Sequence, residues 1–400
     1  MIYSLPYHPW RFYRPTFLEV FNISNTELAD MFAIYGVVAM LSYFPGGYLA
    51  DKFSTRKLLT SSLVFTSLGG IYMAQLPSPL GLTLLFAYWG LTSVFLFWAA
   101  MIKATRDWGG NQTQGRAFGF MDGGRGFVAA FFGTLGATIL AWYIPNEISN
   151  IDPIQRMNGA VTITYFYSFL TFMAGGLVWI ILPGENSNKG ESKFQISPKG
   201  ILEVLKDNKI WLKGLVIITA YCGFKSLDNF PLYAVDILGM SEVEAASFAS
   251  NASYLRVVGA ITAGVLADKL APSLILKFLF IGTTASYATL STLGVNDTTL
   301  IYIYANIIIV YFGVNGMRGI YFALLEESKI SKFKTGTAVG LISVIGYTPD
   351  IFFYPLSARI IAASPGIDGY HNYFILTAAI ICTGMFATWL LTRQIIETKT

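Results

Sequence analysis

The sequence predicts an all-α membrane protein built from two related six-helix halves. Three observations carry that prediction: charged residues are scarce, apolar stretches of bilayer length recur along the chain, and one short motif appears twice at corresponding places. Of the 400 residues, 54% are hydrophobic and 12% are charged, where a soluble protein carries about 25% charged residues. Polar surface is too sparse to cover a water-soluble globule, so lipid must be most of the solvent. This excludes a cytosolic enzyme, a disordered chain and a nucleic-acid binder working through a basic surface. The lipid bilayer is the extended partner expected.

A helix crosses the hydrocarbon core with about 20 apolar residues. Such stretches lie near residues 27–50, 57–76, 80–103, 116–141 and 159–182, and again near 210–237, 242–267, 273–294, 299–325, 336–362 and 371–393. Between the two sets runs a polar segment with GENSNKGESK at its centre. The first 22 residues are aromatic-rich but hold two arginines and three prolines. Internal repetition assigns them. GGYLADK at 46–52 returns as AGVLADK at 263–269, an offset of 217 that also aligns Ser24 with Ser241 and Glu27 with Glu244. Extended backwards, the offset sets Met1 about seven residues inside the span beginning near Trp211. Residues 1–22 are therefore expected to be the outer two-thirds of a first helix that lacks its cytoplasmic start. The expected organisation is a six-helix bundle over 1–182, a cytoplasmic linker over 183–209 and a second bundle over 210–400, twelve spans in one monomer.

Orientation follows from lysine and arginine placement. With the ADKFSTRK loop inside, nineteen basic residues fall in cytoplasmic segments and Arg156 falls in an outer loop. Both termini are thus expected in the cytoplasm, with the protein in a bacterial inner membrane. Cys222 and Cys382 lie far apart in apolar runs, and His8 and His371 are the two histidines. These give neither a disulfide framework nor metal-ligand spacing, and no cofactor is expected.

The loop GGYLADKFSTRK resembles the signature G-x-x-x-D-[RK]-x-G-[RK]-[RK] that the major facilitator superfamily carries between its second and third spans. Gly47, Asp51, Lys52 and Arg56 match it, while Ser54 and Thr55 replace the expected glycine and first basic residue. The second copy keeps Gly264, Asp268 and Lys269 and loses the basic tail to LAPSL. Span count, basic linker, orientation and duplicated motif extend the resemblance over the whole chain. It implies a transporter fold in which Asp51 and Arg56 latch the halves in the outward-facing state. Without the resemblance, the motif reads as a tight turn capped by Asp51 with basic residues at the inner leaflet.

An ionisable residue at mid-bilayer costs at least about 2.5 kcal/mol on insertion scales, so each one is a functional candidate. Seven basic residues are stranded within spans: Arg11, Arg14, Arg125, Lys225, Arg256, Arg318 and Arg359. The acids are Glu19, Asp122, Asp228, Asp236 and Asp350, with Asp236 and Arg359 near span ends. The excess of fixed positive charge suits an anionic cargo. Under the 217 offset, His8 aligns with Lys225 and Arg11 with Asp228. The resemblance narrows here to the organophosphate:phosphate branch, in which basic residues on spans 1 and 7 grip the phosphate. Arg11 and Lys225 fall on those spans, with His8 beside them as a further substrate-contact candidate. The competing structural reading is a Lys225–Asp228 pair that fixes packing.

Span 5 carries Gly115, Gly119 and Gly123 at four-residue spacing, a face for close helix contact. Asp122 and Arg125 are i,i+3 partners on it, Arg125 lying about 14 Å from the inner boundary. Span 8 carries Arg256. The resemblance implies that spans 5 and 8 pack together, bringing Arg125 and Arg256 towards one cavity, against a structural Asp122–Arg125 pair. In span 11, Asp350 reads as a proton carrier or, preferably, as the fixed ion-pair partner of Arg256 or Arg125. Arg318, eight residues before Glu326, reads as a gate. Arg106 and Asp107, between spans 4 and 5, read as gating charges.

The expected function is a secondary active transporter working by alternating access. Its expected cargo is a small organic anion, a sugar phosphate or sugar acid, moved with protons or by anion exchange. Two alternatives stand beside it: a carrier of a neutral or zwitterionic solute, and a transporter-like sensor. No nucleophile–base pair, metal cluster or nucleotide motif supports an enzyme.

Overall fold

The computed structural model describes residues 2–109, 114–144, 151–184, 208–321 and 344–397. Among them every regular element is a helix, the form in which an apolar segment satisfies its own backbone in lipid.

The repeat seen in the sequence is also a repeat of local structure. Ser24 caps the helix Asn25–Lys52, accepting from the Glu27 amide while the Glu27 carboxylate accepts from the Ser24 amide at 2.8 Å. Ser241 and Glu244 build the same reciprocal cap on Glu242–Ala252, again at 2.8 Å. Each cap satisfies two amides that a helix start leaves unmet. Two residues before each cap the chain turns through left-handed backbone, Asn22 at φ 48° and Gly239 at φ 68°. These positions are also 217 apart, and asparagine and glycine are the residues that tolerate that conformation.

Helix pairing repeats as well. Asn25–Lys52 packs on Pro79–Gly90 and the turn after it, as Leu255–Lys269 packs on Asp297–Ile320. Thr55–Met73 packs on Pro153–Ile181, as Pro272–Leu290 packs on Ile367–Glu397. Glycines permit the close approaches. A Cβ on Gly46 would meet the Phe95 carbonyl and one on Gly259 the Phe312 carbonyl, and it is Phe95 and Phe312 that the offset makes equivalent.

Seven helices are each long and apolar enough to cross a bilayer, among the described residues, and an eighth if Asn25–Tyr43 and Pro45–Lys52 count as one span bent by 50°. The twelve expected spans are thus not all met as single helices, for local reasons. Pro45 cannot donate to the helix ladder and bends the second span. The first 21 residues form three short pieces, Ile2–Tyr7, Pro9–Phe12 and Arg14–Phe21, punctuated by Pro6, Pro9 and Pro15. Span 8 divides between Glu242–Ala252 and Leu255–Lys269. Much of span 11 lies outside the described residues. Span 4 contains a π-helical turn, Leu91–Leu96, whose displaced groups find side chains: the Ser62 hydroxyl donates to the Thr92 carbonyl at 2.7 Å and Thr66 donates to the Thr92 hydroxyl at 2.9 Å.

The helices gather into two compact units, one from the described residues of Met1–Lys189 and Asp228–Tyr254, the other from those of Gly190–Leu227 and Leu255–Thr400. The divisions fall at the breaks, the 3-10 turn Leu227–Asn229 in span 7 and the interruption after Ala252 in span 8. In the first unit tyrosines stitch three helices: Tyr13 donates to the Gly133 carbonyl and lies 2.8 Å from the Tyr167 hydroxyl. Large apolar side chains such as Leu41, Leu84, Trp142, Phe169 and Ile180 are exposed, a surface that suits acyl chains rather than water.

Candidate functional site

Each unit holds its own cluster of charge. In the first, Arg11 donates from Nε to Asp228 Oδ1 at 2.8 Å and its Nη2 lies 2.7 Å from the same oxygen. One turn on, fully buried Arg14 donates from Nη1 to Asn229 Oδ1 at 2.8 Å and to Asn25 Oδ1 at 3.0 Å, and from Nε to the Trp10 carbonyl. Thr16 donates to Glu242 Oε2 at 2.5 Å, and the other oxygen of that carboxylate takes Arg156 Nη2 at 2.7 Å. Charge in this network is matched by carboxylate or amide oxygen. Two positions equivalent in the repeat, Arg11 and Asp228, are bonded to each other.

In the second unit Lys225 Nζ lies 2.5 Å from Asp350 Oδ1, and the Tyr221 hydroxyl donates to Asp350 Oδ2 at 3.1 Å. Lys225 also sits over the rings of Tyr221 and Tyr354, at 5.1 and 5.0 Å from their centroids. Beside it, the Phe224 ring carries two guanidiniums. Arg318 stacks on it at 3.8 Å and Arg256 lies at 5.6 Å. Stacked cations of this kind lose little hydration by leaving water and keep their in-plane donors for a partner.

The structure corrects several expected partnerships. Asp350 pairs with Lys225 and Tyr221, not with Arg256 or Arg125, because its helix is brought against the Asn208–Ser226 helix. Asp228 is taken by Arg11. Arg318 stacks on Phe224, whereas Glu326 lies outside the described residues. Gly123 has open space where a Cβ would stand, and the close contacts of the Gln114–Tyr143 helix lie further along, at Gly133 against Ser250 and at Gly136 against Tyr13. That helix does pack on Glu242–Ala252, the expected contact of spans 5 and 8. Arg125 lies 5.4 Å over the Trp98 ring in the first unit, and Arg256 belongs to the second. His8 is buried with its ring 4.9 Å from that of Phe12. The side chains of Arg106 and Asp122 lie outside the described ones.

Several participants escape a reading of the sequence. Glu242 looks like an ordinary first-turn acid beside a helix cap, yet it is buried and bridges Thr16 and Arg156. Tyr221 and Phe224 look like two of many span aromatics. Tyr221 stands four residues before Lys225 and three before Phe224, and that helical spacing is the one signal that could have singled out Tyr221 as the neighbour of both.

The sequence profile of the Major Facilitator Superfamily matches residues 11–354. The chain belongs to the Major Facilitator Superfamily. It is similar to the inner membrane protein YihN of Escherichia coli strain K12, with 28% identity covering 100% of this chain and 94% of that one. The nitrite extrusion protein of Bacillus subtilis strain 168 is 24% identical, with coverage of 92% and 81%. Among solved structures, a bacterial homologue of the lysosomal transporter Spinster superposes with a TM-score of 0.76 over 99% of this chain and 96% of that one, at 11% identity. This member of the Major Facilitator Superfamily is therefore a multi-pass transporter and not an enzyme. Its two signature copies sit at helix ends: Asp51, Lys52, Asp268 and Lys269 are exposed, Gly47 and Gly264 face open space, and Arg56 lies 4.5 Å over the Trp179 ring. Lys103 donates to the Ala50 carbonyl at 2.6 Å, closing the end of the helix that carries the first copy.

Proposed function

We propose that this transporter carries a small organic anion, a sugar phosphate or sugar acid, by alternating access around charges buried within its spans. The observation that carries the reading is the gathering of Lys225, Arg256 and Arg318 about Phe224 and Tyr221, with Asp350 bonded to Lys225. Cations held away from water on aromatic faces offer strong, directional donors to an oxyanion. The Bacillus relative is named for extruding nitrite, also an anion, which supports the same class here.

The Lys225–Asp350 pair supports proton coupling. A cargo anion that takes Lys225 displaces Asp350, which links cargo binding to the partner of that carboxylate, as coupling requires. Arg11 is the matching candidate opposite Asp228, with His8, Arg125 and Arg256 as further contacts. The distribution of basic residues supports cytoplasmic termini, and with them a role for Asp51 and Arg56 as an inner-face latch in one state of the cycle. Arg106 belongs to the same proposed gate.

Thermal stabilisation of the purified protein tests the cargo class, across glucose 6-phosphate, gluconate, amino acids and glucose. The anions are expected to raise the melting temperature. Stabilisation by the neutral sugar alone would overturn the reading.

A further inference from the structure

On the Asp297–Ile320 helix, Arg318 and Asn315 stand three residues apart, on one face. The Arg318 guanidinium lies 3.8 Å over the centre of the Phe224 ring, and its Nη1 is closed to water with no hydrogen-bond partner among the described residues. Asn315 is buried, and its Nδ2 donates to the Tyr311 carbonyl at 2.7 Å. A carbonyl only accepts, so this bond fixes the amide's orientation and leaves Oδ1 as the other atom. That Oδ1 is also buried and has no hydrogen-bond partner among the described residues.

A donor on a cation and an acceptor, both unmet among the described residues and three positions apart on one helix face, are expensive to keep for packing alone. Asp350, the carboxylate at hand, is already engaged by Lys225 and Tyr221. Stacking occupies only the π face of the guanidinium, so its edge remains available. We propose that Arg318 and Asn315 form a ligand subsite that takes one oxygen of an anionic group on Arg318 Nη1 and one hydroxyl on Asn315 Oδ1. The ligand class is an anion bearing a hydroxyl close to its charge, such as a phosphorylated or carboxylated polyol. This inference rests on the anionic cargo proposed above and adds the residues that choose among anions. Arg318 as a whole is partly exposed, so a ligand can reach the subsite alongside it.

Isothermal titration of the full-length purified protein tests the subsite with glucose 6-phosphate, gluconate, inorganic phosphate and glucose. Arg318→Gln is expected to weaken the hydroxylated anions roughly tenfold or more, the worth of a hydrogen bond to a charged group. Arg318→Lys keeps the charge but loses the guanidinium over the ring, and is expected to fall between, which serves if the glutamine variant does not fold. Asn315→Ala is expected to weaken glucose 6-phosphate and gluconate while leaving inorganic phosphate unchanged. Wild-type affinity for the anions in both Arg318 variants overturns the subsite and leaves the cargo reading standing. Binding of glucose with no binding of any anion overturns both, as does the absence of binding by every probe. Equal losses for all three anions in Asn315→Ala overturn the hydroxyl contact.

Discussion

In the first unit Arg11, Arg14 and Arg156 meet Asp228, two asparagine carbonyls and Glu242. In the second, Lys225 meets Asp350, while Arg318 leans on Phe224 with a buried donor unmet among the described residues. Both clusters place cations where lipid-embedded helices pack, so both had to solve the same desolvation problem. The first meets Arg11, Arg14 and Arg156 with oxygen acceptors from its own chain, while its Arg125 lies over the Trp98 ring. The second uses aromatic faces for part of the task, and aromatic faces leave donors to spare. Cations engaged by oxygen tie helices together; those that also rest on rings, Lys225 and Arg318, keep a face or a donor that a ligand can take.

Breaking the matched network has the largest expected effect on stability. Glu242→Ala leaves Arg156 only the exposed Glu19 at 4.0 Å and is expected to destabilise the detergent-solubilised protein by about 3 kcal/mol, near the low end for a buried pair because Arg156 retains some exposure. A change no larger than that of a surface substitution would place the network outside the fold's support. Asp350→Asn should be milder, about 2 kcal/mol, since the amide still offers an oxygen to Lys225. Its informative effect is on binding: with the competing carboxylate neutralised, affinity for the cargo anion rises, and uptake no longer responds to an imposed proton gradient. Weaker anion binding in that variant would return Asp350 to the matched class.

The paired turns give a control that belongs to the repeat and not to either cluster. Gly239→Ala is expected to cost about 1 kcal/mol by forcing a Cβ into left-handed backbone, and Asn22→Gly to be near neutral by the same melting measurement. Least effect on stability is expected from Asp51→Ala, within about 0.5 kcal/mol, because the side chain is exposed. Uptake into vesicles should nevertheless be lost if the proposed latch operates; full uptake would remove it.

How far the sequence could be read follows the same division. The 217 offset aligned Ser24 with Ser241, Glu27 with Glu244 and Arg11 with Asp228, and the first two pairs build the same reciprocal cap because local chemistry repeats with local sequence. It could not pair Lys225 with Asp350, since helical periodicity compares neighbours along one helix and Asp350 arrives on another. Glu242 was hidden by its place beside a cap, where acids are ordinary. The π-helical turn Leu91–Leu96 and the pieces of the first span depend on which side chains wait to receive displaced carbonyls. No apolar count contains that information. Arg318 was legible as a charge in a span but not as a stacked one, because nothing in its own helix names Phe224.

The most direct measurement compares anion-induced shifts in melting temperature for Arg156→Ala and Lys225→Ala at saturating glucose 6-phosphate. Arg156→Ala is expected to melt lower yet keep the ligand-induced shift, while Lys225→Ala is expected to lose it. Loss of the shift in Arg156→Ala together with its retention in Lys225→Ala would contradict the division between the two clusters.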